Sequence, residues 1–104
     1  MIAYRQAISD WAMIISFAQR DAEALFAGYR VRRFIRIESV IRRKLAQLHA
    51  APTLAFLRAP PGNRLEMLQG DRFGQFSVRV NDQYRICFRW SDGDARDVEI
   101  VDYH

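Results

Sequence analysis

Arg79 and Arg85 are the residues of this sequence whose spacing most directly suggests chemistry. Around them Phe76, Val78 and Val80 alternate with Ser77 and Arg79, and Tyr84, Ile86, Phe88 and Trp90 alternate with Arg85, Cys87 and Arg89. This is the period of two that belongs to half-buried strands. If Val80 pairs with Tyr84 across the Asn81-Asp82-Gln83 turn cluster, Val78 faces Ile86 and Phe76 faces Phe88 on an apolar side. Arg79 then stands directly opposite Arg85 on the polar side, where like charges cost about 0.2–1 kcal/mol. Two readings compete: an anion from outside the chain bridges the pair, or both belong to a solvated basic face. The next hairpin places Phe88 against Val98, Ile86 against Ile100, and Arg89 against Asp97 as an ordinary neutralised pair, whereas Arg85 meets Val101, which offers no charge and leaves it short of a structural partner. Glu99 is diagonal to both Arg85 and Arg89, and Tyr103 falls near Arg85. Upstream, a strand over Arg64 to Leu68 points Leu65 and Met67 inward, which adds Arg64 and Glu66 to the polar side.

The elements that must hold these groups can be read in turn. The turn cluster Ser91-Asp92-Gly93-Asp94 leads from the second strand into a third over Asp97 to Val101, completing an antiparallel meander with one apolar face. A helix is expected from about Ile35 to Ala50, since Ile37, Ile41, Leu45 and Leu48 recur at spacings of four, four and three. Arg36, Arg42, Arg43 and Lys44 mostly avoid that stripe and read as a hydrated face, the alternative being contact with a partner or RNA, while His49 near the end suits the helix dipole. A shorter helix over Asp21 to Ala27 is ended by Gly28, and Tyr29 to Phe34 is a basic link that either contacts nucleic acid or is a solvated connector. Thr53 can cap a turn of helix through Leu57 before Ala59-Pro60-Pro61-Gly62 breaks it. The expected class is α+β, an antiparallel meander with two or three helices on one face. Residues 13–104 form one domain, opening with a strand-like run from Met13 to Phe17. Residues 1–12 show no period and read as an N-terminal extension, the alternative being a turn of helix that packs Ile8 and Trp11.

Composition excludes more than it selects. Half of the 104 residues are hydrophobic, which argues for a packed domain rather than disorder. The net charge of +4 is carried by 15 Arg and one Lys, and Arg suits phosphate and base stacking, although a GC-rich genome would give the same bias. Cys87 is the single cysteine, so no internal disulfide can form and an inert thiol in a reducing compartment is expected. No run is long enough to cross a membrane and the N-terminus lacks signal-peptide character, so the expected location is cytoplasmic. Paired cysteines, HExxH, a glycine-rich phosphate loop and a GxSxG elbow are all absent, and no metal site or cofactor is expected.

Several runs together resemble the HigB branch of the RelE-like toxins of bacterial toxin–antitoxin systems. They are Pro61-Gly62-Asn63-Arg64-Leu65, Leu68-Gln69-Gly70-Asp71-Arg72, Ser77 through Ile86, and the terminal Asp102-Tyr103-His104. The likeness spans Met13 to His104, including the opening MIISF. It implies an α+β domain and ribosome-dependent, metal-independent cleavage of mRNA that inhibits translation and growth. It also implies a HigA-like helix-turn-helix antitoxin as partner, with operator DNA contacted only through that antitoxin and with no membrane contact. Carried over by position, His104, Tyr103, Arg85 and Asp102 are the implied catalytic residues. Arg79, Arg64 and Arg72 are the implied RNA-binding cations. Where some members place a catalytic histidine before the meander this chain has Glu66, a carboxylate that can take the base role. Two other classes stay open: a nucleic-acid- or ribosome-binding protein without nuclease activity, and a ParE-like gyrase-inhibiting toxin.

Metal-free RNA cleavage needs a base for the ribose 2′-hydroxyl, cations for the charge developing on phosphorus, and an acid for the leaving oxygen. His104 is the natural acid or base near neutral pH, and Asp102 and the terminal carboxylate, by favouring its imidazolium, suit it better to the acid role.

Overall fold

In the computed structural model residues 13–103 are described, and four antiparallel strands run in the order β1 (Glu66–Met67), β2 (Phe76–Arg79), β3 (Tyr84–Ser91) and β4 (Asp94–Asp102). Helices α1 (Arg20–Phe26) and α2 (Glu38–Ala50) precede the sheet in sequence. The protein is therefore α+β, as the residue pattern implied. Residues 1–12, read above as an extension, lie outside the described residues, as does His104.

The β2–β3 register is the expected one: Phe76 pairs with Phe88, Val78 with Ile86, and Arg79 with Arg85. Asn81 sets the connection by accepting at Oδ1 from the backbone N–H of Gln83 (2.9 Å) and of Tyr84 (2.7 Å). Such a side-chain turn suits asparagine. At the other end Asp92 and Gly93 both take positive φ, 51° and 82°, as a two-residue type I′ hairpin requires.

The β3–β4 register departs from simple alternation. Ile86 faces Ile100 and Arg85 faces Val101 as expected, but a bulge follows, and Arg89 pairs with Arg96 rather than Asp97. Unbroken alternation from Ile100 through Val98 would drive Arg96 into the core. The extra residue on β4 shifts the parity, so that Ala95 is fully buried and Arg96 exposed. Asp97, at φ 52°, absorbs the bulge, and its N–H is held by Ser16 Oγ at 2.8 Å. Its carboxylate still meets Arg89, at 3.6 Å.

Residues 13–18 cover the outer edge of β4, with isolated parallel bridges pairing Ile14 to Ala95 and Phe17 to Val98. The Gln19 amide extends this ladder, donating to Ile100 O (3.0 Å) and accepting from Ile100 N (2.9 Å). An edge that would otherwise offer unpaired backbone groups is thus occupied.

The core lies between the sheet and the helices. Phe34, Ile41, Leu45, Leu48, Val78, Ile86, Phe88 and Val98 are all buried there. α1 ends in a Schellman motif, with Gly28 N bonded to Leu25 O and Tyr29 N to Ala24 O, and Gly28 at φ 98°. α2 begins at Glu38, three residues later than periodicity suggested. Residues 32–37 are wound instead by i→i+3 bonds, which bring Phe34 and Ile37 onto one side. Phe34 is fully buried, edge-on to Tyr84 at 5.3 Å. None of the described helices is long and apolar enough to cross a membrane.

Three side chains of α2 depart from the expected hydrated face and dipole cap. Arg42 turns back onto the end of α1, donating to Leu25 O (3.2 Å) and Tyr29 O (2.7 Å). Lys44 is buried against Asn63, and desolvation, then Arg43 and Arg79, lower its pKa below the usual lysine value. His49 accepts at Nδ1 from Ile14 N (3.1 Å) with its ring against Phe26, and burial lowers its pKa. Its role is thus to dock the edge segment as a neutral ring, which reverses the charged capping role read from position alone. The folded state disfavours the proton that an unfolded histidine takes up near pH 6.5. This stability is complete above that pH and is lost as pH falls through the lower folded value. Thermal melts at pH 7.5 and 5.5 should show a fall in melting temperature that His49→Gln diminishes.

Candidate active site

Two rows of side chains stand on the sheet face away from the core. Cross-strand pairing puts Glu66, Ser77, Cys87 and Glu99 in one row, and Arg79, Arg85 and Val101 in the next. Ser77 and Cys87 are fully buried rather than solvated. Burial pushes the Cys87 thiol up to about 11, which fits an inert thiol.

Arg85 is held more firmly than its register suggested. Its Nε donates to Ser77 Oγ at 2.6 Å, and its Nη2 donates to Arg64 O at 2.6 Å and Ser77 O at 3.4 Å. Nη2 also lies 3.6 Å from Glu66 Oε1, and the side chain is only 12% exposed. The expectation of a cation short of structural partners is therefore corrected. Arg79 diverges from Arg85 to pair with the fully exposed Asp82. The opposed charges are each met by a carboxylate of the chain itself. Both carboxylates are more than half exposed, and such pairs contribute about 0–1 kcal/mol, so a phosphate can displace either.

The Arg64 carbonyl reaches Arg85 because its residue takes a left-handed conformation, φ 45°. That is an uncommon state for a side chain with a Cβ and needs support from its surroundings. Asn63 supplies it. Fully buried, it accepts from Lys44 Nζ and donates to Leu57 O (3.0 Å) and Gln47 Oε1 (3.3 Å). Its backbone carbonyl accepts from Arg79 N at 2.6 Å. β1 is shorter than expected, and Met67 points outward, 59% exposed, while Leu68 takes the buried place. The reason is local: bonding of Leu68 N to Gln75 O folds residues 68–75 over the outer face of the sheet.

Arg72 in that loop donates to Glu99 Oε2 (3.0 Å) and Gln75 Oε1 (2.9 Å), and the Glu99 hydrogen bond raises its pKa above the usual arginine value. Glu99 is therefore engaged by Arg72 rather than by the diagonal Arg85 or Arg89. Tyr103 donates its backbone N–H to Gln83 O (2.7 Å), and Asp102 accepts from Gln83 Nε2 (3.1 Å).

Two open cavities flank the Arg85–Val101 pair. One, of about 300 Å³, is lined by Arg64, Leu65, Glu66 and Arg85; the other, of about 440 Å³, by Arg72, Val101, Asp102 and Tyr103. The fold thus brings Arg85, Glu66 and Arg64 together, gathers Arg72, Asp102 and Tyr103 beside them, and turns Arg79 aside. His104, which follows Tyr103, lies outside the described residues. Asn63, Lys44 and Ser77 are the positioning residues that pattern alone did not single out. Asn63 within Pro-Gly-Asn-Arg was the one available signal. A fixed cation beside an exposed carboxylate, in an open cleft, can bind a phosphodiester and stabilise charge as it develops there.

Comparison with known proteins shows which family the chain belongs to. Residues 16–104 match the family described as RelE-like toxin of the type II toxin–antitoxin system HigB. The chain is 42% identical over 85 residues to Toxin HigB-1 of Vibrio cholerae serotype O1, covering 80% of this chain and 90% of that one. It is also 34% identical over 59 residues to an uncharacterized protein of Haemophilus influenzae, covering 57% of this chain and 58% of that protein. With most of its length matched, the chain belongs to the HigB-like family of RelE-like toxins, and it is a toxin of a type II toxin–antitoxin system.

Proposed function

We propose that this toxin is an endoribonuclease that cuts mRNA on the ribosome, and that a HigA-like helix-turn-helix antitoxin holds it inactive. The observation that carries this reading is the Arg85 guanidinium, fixed between two open cavities with the exposed Glu66 carboxylate 3.6 Å away. Glu66 takes the proton of the ribose 2′-hydroxyl, and the freed oxygen attacks the adjacent phosphorus. Arg85 stabilises the negative charge that builds on the non-bridging oxygens. As the bond from phosphorus to the 5′-oxygen breaks, the His104 imidazolium gives that oxygen a proton. The products are a 2′,3′-cyclic phosphate and a 5′-hydroxyl, and the proton inventory closes without a cofactor. Tyr103 stacks on a base beside the cut, with Asp102 favouring the charged form of His104. Arg64, Arg72 and Arg79 hold flanking phosphates. The reaction belongs in the cytoplasm, where ribosomes are, and operator DNA is met only through the antitoxin.

Purified toxin added to ribosomes programmed with a defined mRNA should give a discrete 5′-hydroxyl fragment. Intact mRNA at full ribosome occupancy refutes the reading, and if DNA-damage signalling is induced instead, the target is gyrase. Within the same assay His104→Gln should slow single-turnover cleavage about 100-fold, the lower end of general acid–base contributions, with an unchanged melting temperature.

A further inference from the structure

The cationic turn before α2 is not used by the chemistry above. Phe34 is buried and anchors the turn, which leaves Arg32, Arg33 and Arg36 outside and facing the β2–β3 loop. Between turn and loop lies a cavity of about 290 Å³, whose polar lining is these three arginines with Asn81, Gln83 and Tyr84. Arg33 is occupied: it pairs with Asp21 at 3.2 Å and stacks over the Phe34 ring at 4.4 Å. Among the described residues Arg32 and Arg36 have no carboxylate within ion-pair distance: Asp21 is engaged by Arg33, and Glu38 by Arg30 and Arg42. Two exposed guanidiniums thus share one cavity without a counter-charge from the described chain. The loop opposite is fixed, because Asn81 Oδ1 is occupied by two backbone N–H groups, which leaves the Asn81 amide as a donor only. Forked guanidinium donors with no carboxylate partner among the described residues suit phosphate.

The position of the cavity indicates which phosphate. Gln83 lines it, and the same residue holds Tyr103 through its carbonyl and Asp102 through its amide. Gln83 lies two residues from Arg85, about 7 Å along an extended strand. A polynucleotide crossing Arg85 toward the β2–β3 loop and the end of β4 therefore meets this cavity as it passes the ends of the strands. We propose that the cavity is a second phosphate site, in which Arg32 and Arg36 grip the backbone of the RNA strand that also places a phosphate at Arg85. The identity of the strand rests on the nuclease reading, whereas the phosphate chemistry of the cavity does not. The site adds affinity and register while leaving the bond-breaking step alone.

The test uses the full chain and an uncleavable 2′-O-methylated single-stranded oligonucleotide, with affinity measured from low to moderate salt. Arg32→Ala/Arg36→Ala should weaken binding roughly tenfold at low salt and flatten the salt slope by about 0.7 for each phosphate left unneutralised. Arg32→Gln/Arg36→Gln, which keeps most of both stems, should do the same. Arg20→Ala/Arg58→Ala removes two exposed cations elsewhere and should change neither. In ribosome assays the half-saturating ribosome concentration should rise, with the saturated cleavage rate held within about twofold, as expected when uniform binding alone is removed. If the wild type cuts no mRNA yet the binding results hold, the phosphate site stands and the nuclease reading falls. An affinity that is undetectable, unchanged or lowered equally in the control pair overturns the site. Weakened binding of the purified cognate antitoxin with RNA binding intact also overturns it, and gives the cavity to the protein partner.

Discussion

Arg85→Ala is expected to abolish growth arrest and also to lower the melting temperature, so that both effects must be measured on the same protein. Its guanidinium donates to the buried Ser77 hydroxyl and to the Arg64 carbonyl, and alanine leaves both acceptors without their donor. A buried group stranded in this way costs about 1–3 kcal/mol. For a domain of this size about 2 kcal/mol corresponds to a fall of about 10 °C. Relief of the Arg79–Arg85 opposition offsets little, because Arg79 already turns away to Asp82. Loss of one preorganised donor to a developing oxyanion lowers a rate about 10²–10³-fold, so single-turnover cleavage well below the melting temperature should fall by that much. Ser77→Ala separates the roles: it removes the hydroxyl tether at Nε while keeping the cation and its bond to the Arg64 carbonyl, and should lose stability with a smaller loss of rate. Full growth arrest by Arg85→Ala at matched expression would remove this residue from the site. A melting temperature equal to that of the wild type would show that the tether carries no stability.

Asn63→Ala is expected to be the most destabilising of these substitutions. It removes the acceptor of a buried lysine, the donor to Leu57 O and the support behind the left-handed Arg64. An ammonium left buried without its partner is costly, and with the stranded carbonyl the loss should reach about 3 kcal/mol or more. That corresponds to a fall of about 15 °C in melting temperature. Lys44→Met should cost less, because it fills the same volume and strands a neutral carbonyl oxygen rather than a charge. Combining the two should recover part of the loss, and a double-mutant cycle showing no coupling would disprove the Lys44–Asn63 account. Cleavage should weaken in Asn63→Ala even at low temperature, because the Arg64 carbonyl no longer fixes Arg85.

The α+β class, the β2–β3 register from Val80 to Phe76, the apolar stripe of α2, the Gly28 stop and the family were all legible in the residue order. The structural features follow from short-range rules: a period of two forces cross-strand partners once the turn is placed, and a period near 3.6 forces a helix face. The family came instead from resemblance, carried by runs such as Pro61-Gly62-Asn63-Arg64-Leu65 and Asp102-Tyr103-His104. The candidate residues around Arg85 were legible for the same reason, since parity alone puts Arg85, Arg79 and Glu66 on one side of the sheet. What each of them touches was settled by the packing of distant segments. The bulge at Asp97 exists because an alternating β4 would bury Arg96, and no local pattern states which residue absorbs the shift. Lys44, on a helix, looked solvated until the Pro60–Arg64 loop closed over it, and His49 became a neutral acceptor only when residues 13–18 docked against β4. Arg85 changed from an unpaired cation to a tethered one because Ser77 and the Arg64 carbonyl come from other strands and loops. Local periodicity fixes the direction in which a side chain leaves its own element. Its partners and charge state depend on segments 8 to 35 residues away in the chain, which only the folded structure brings together.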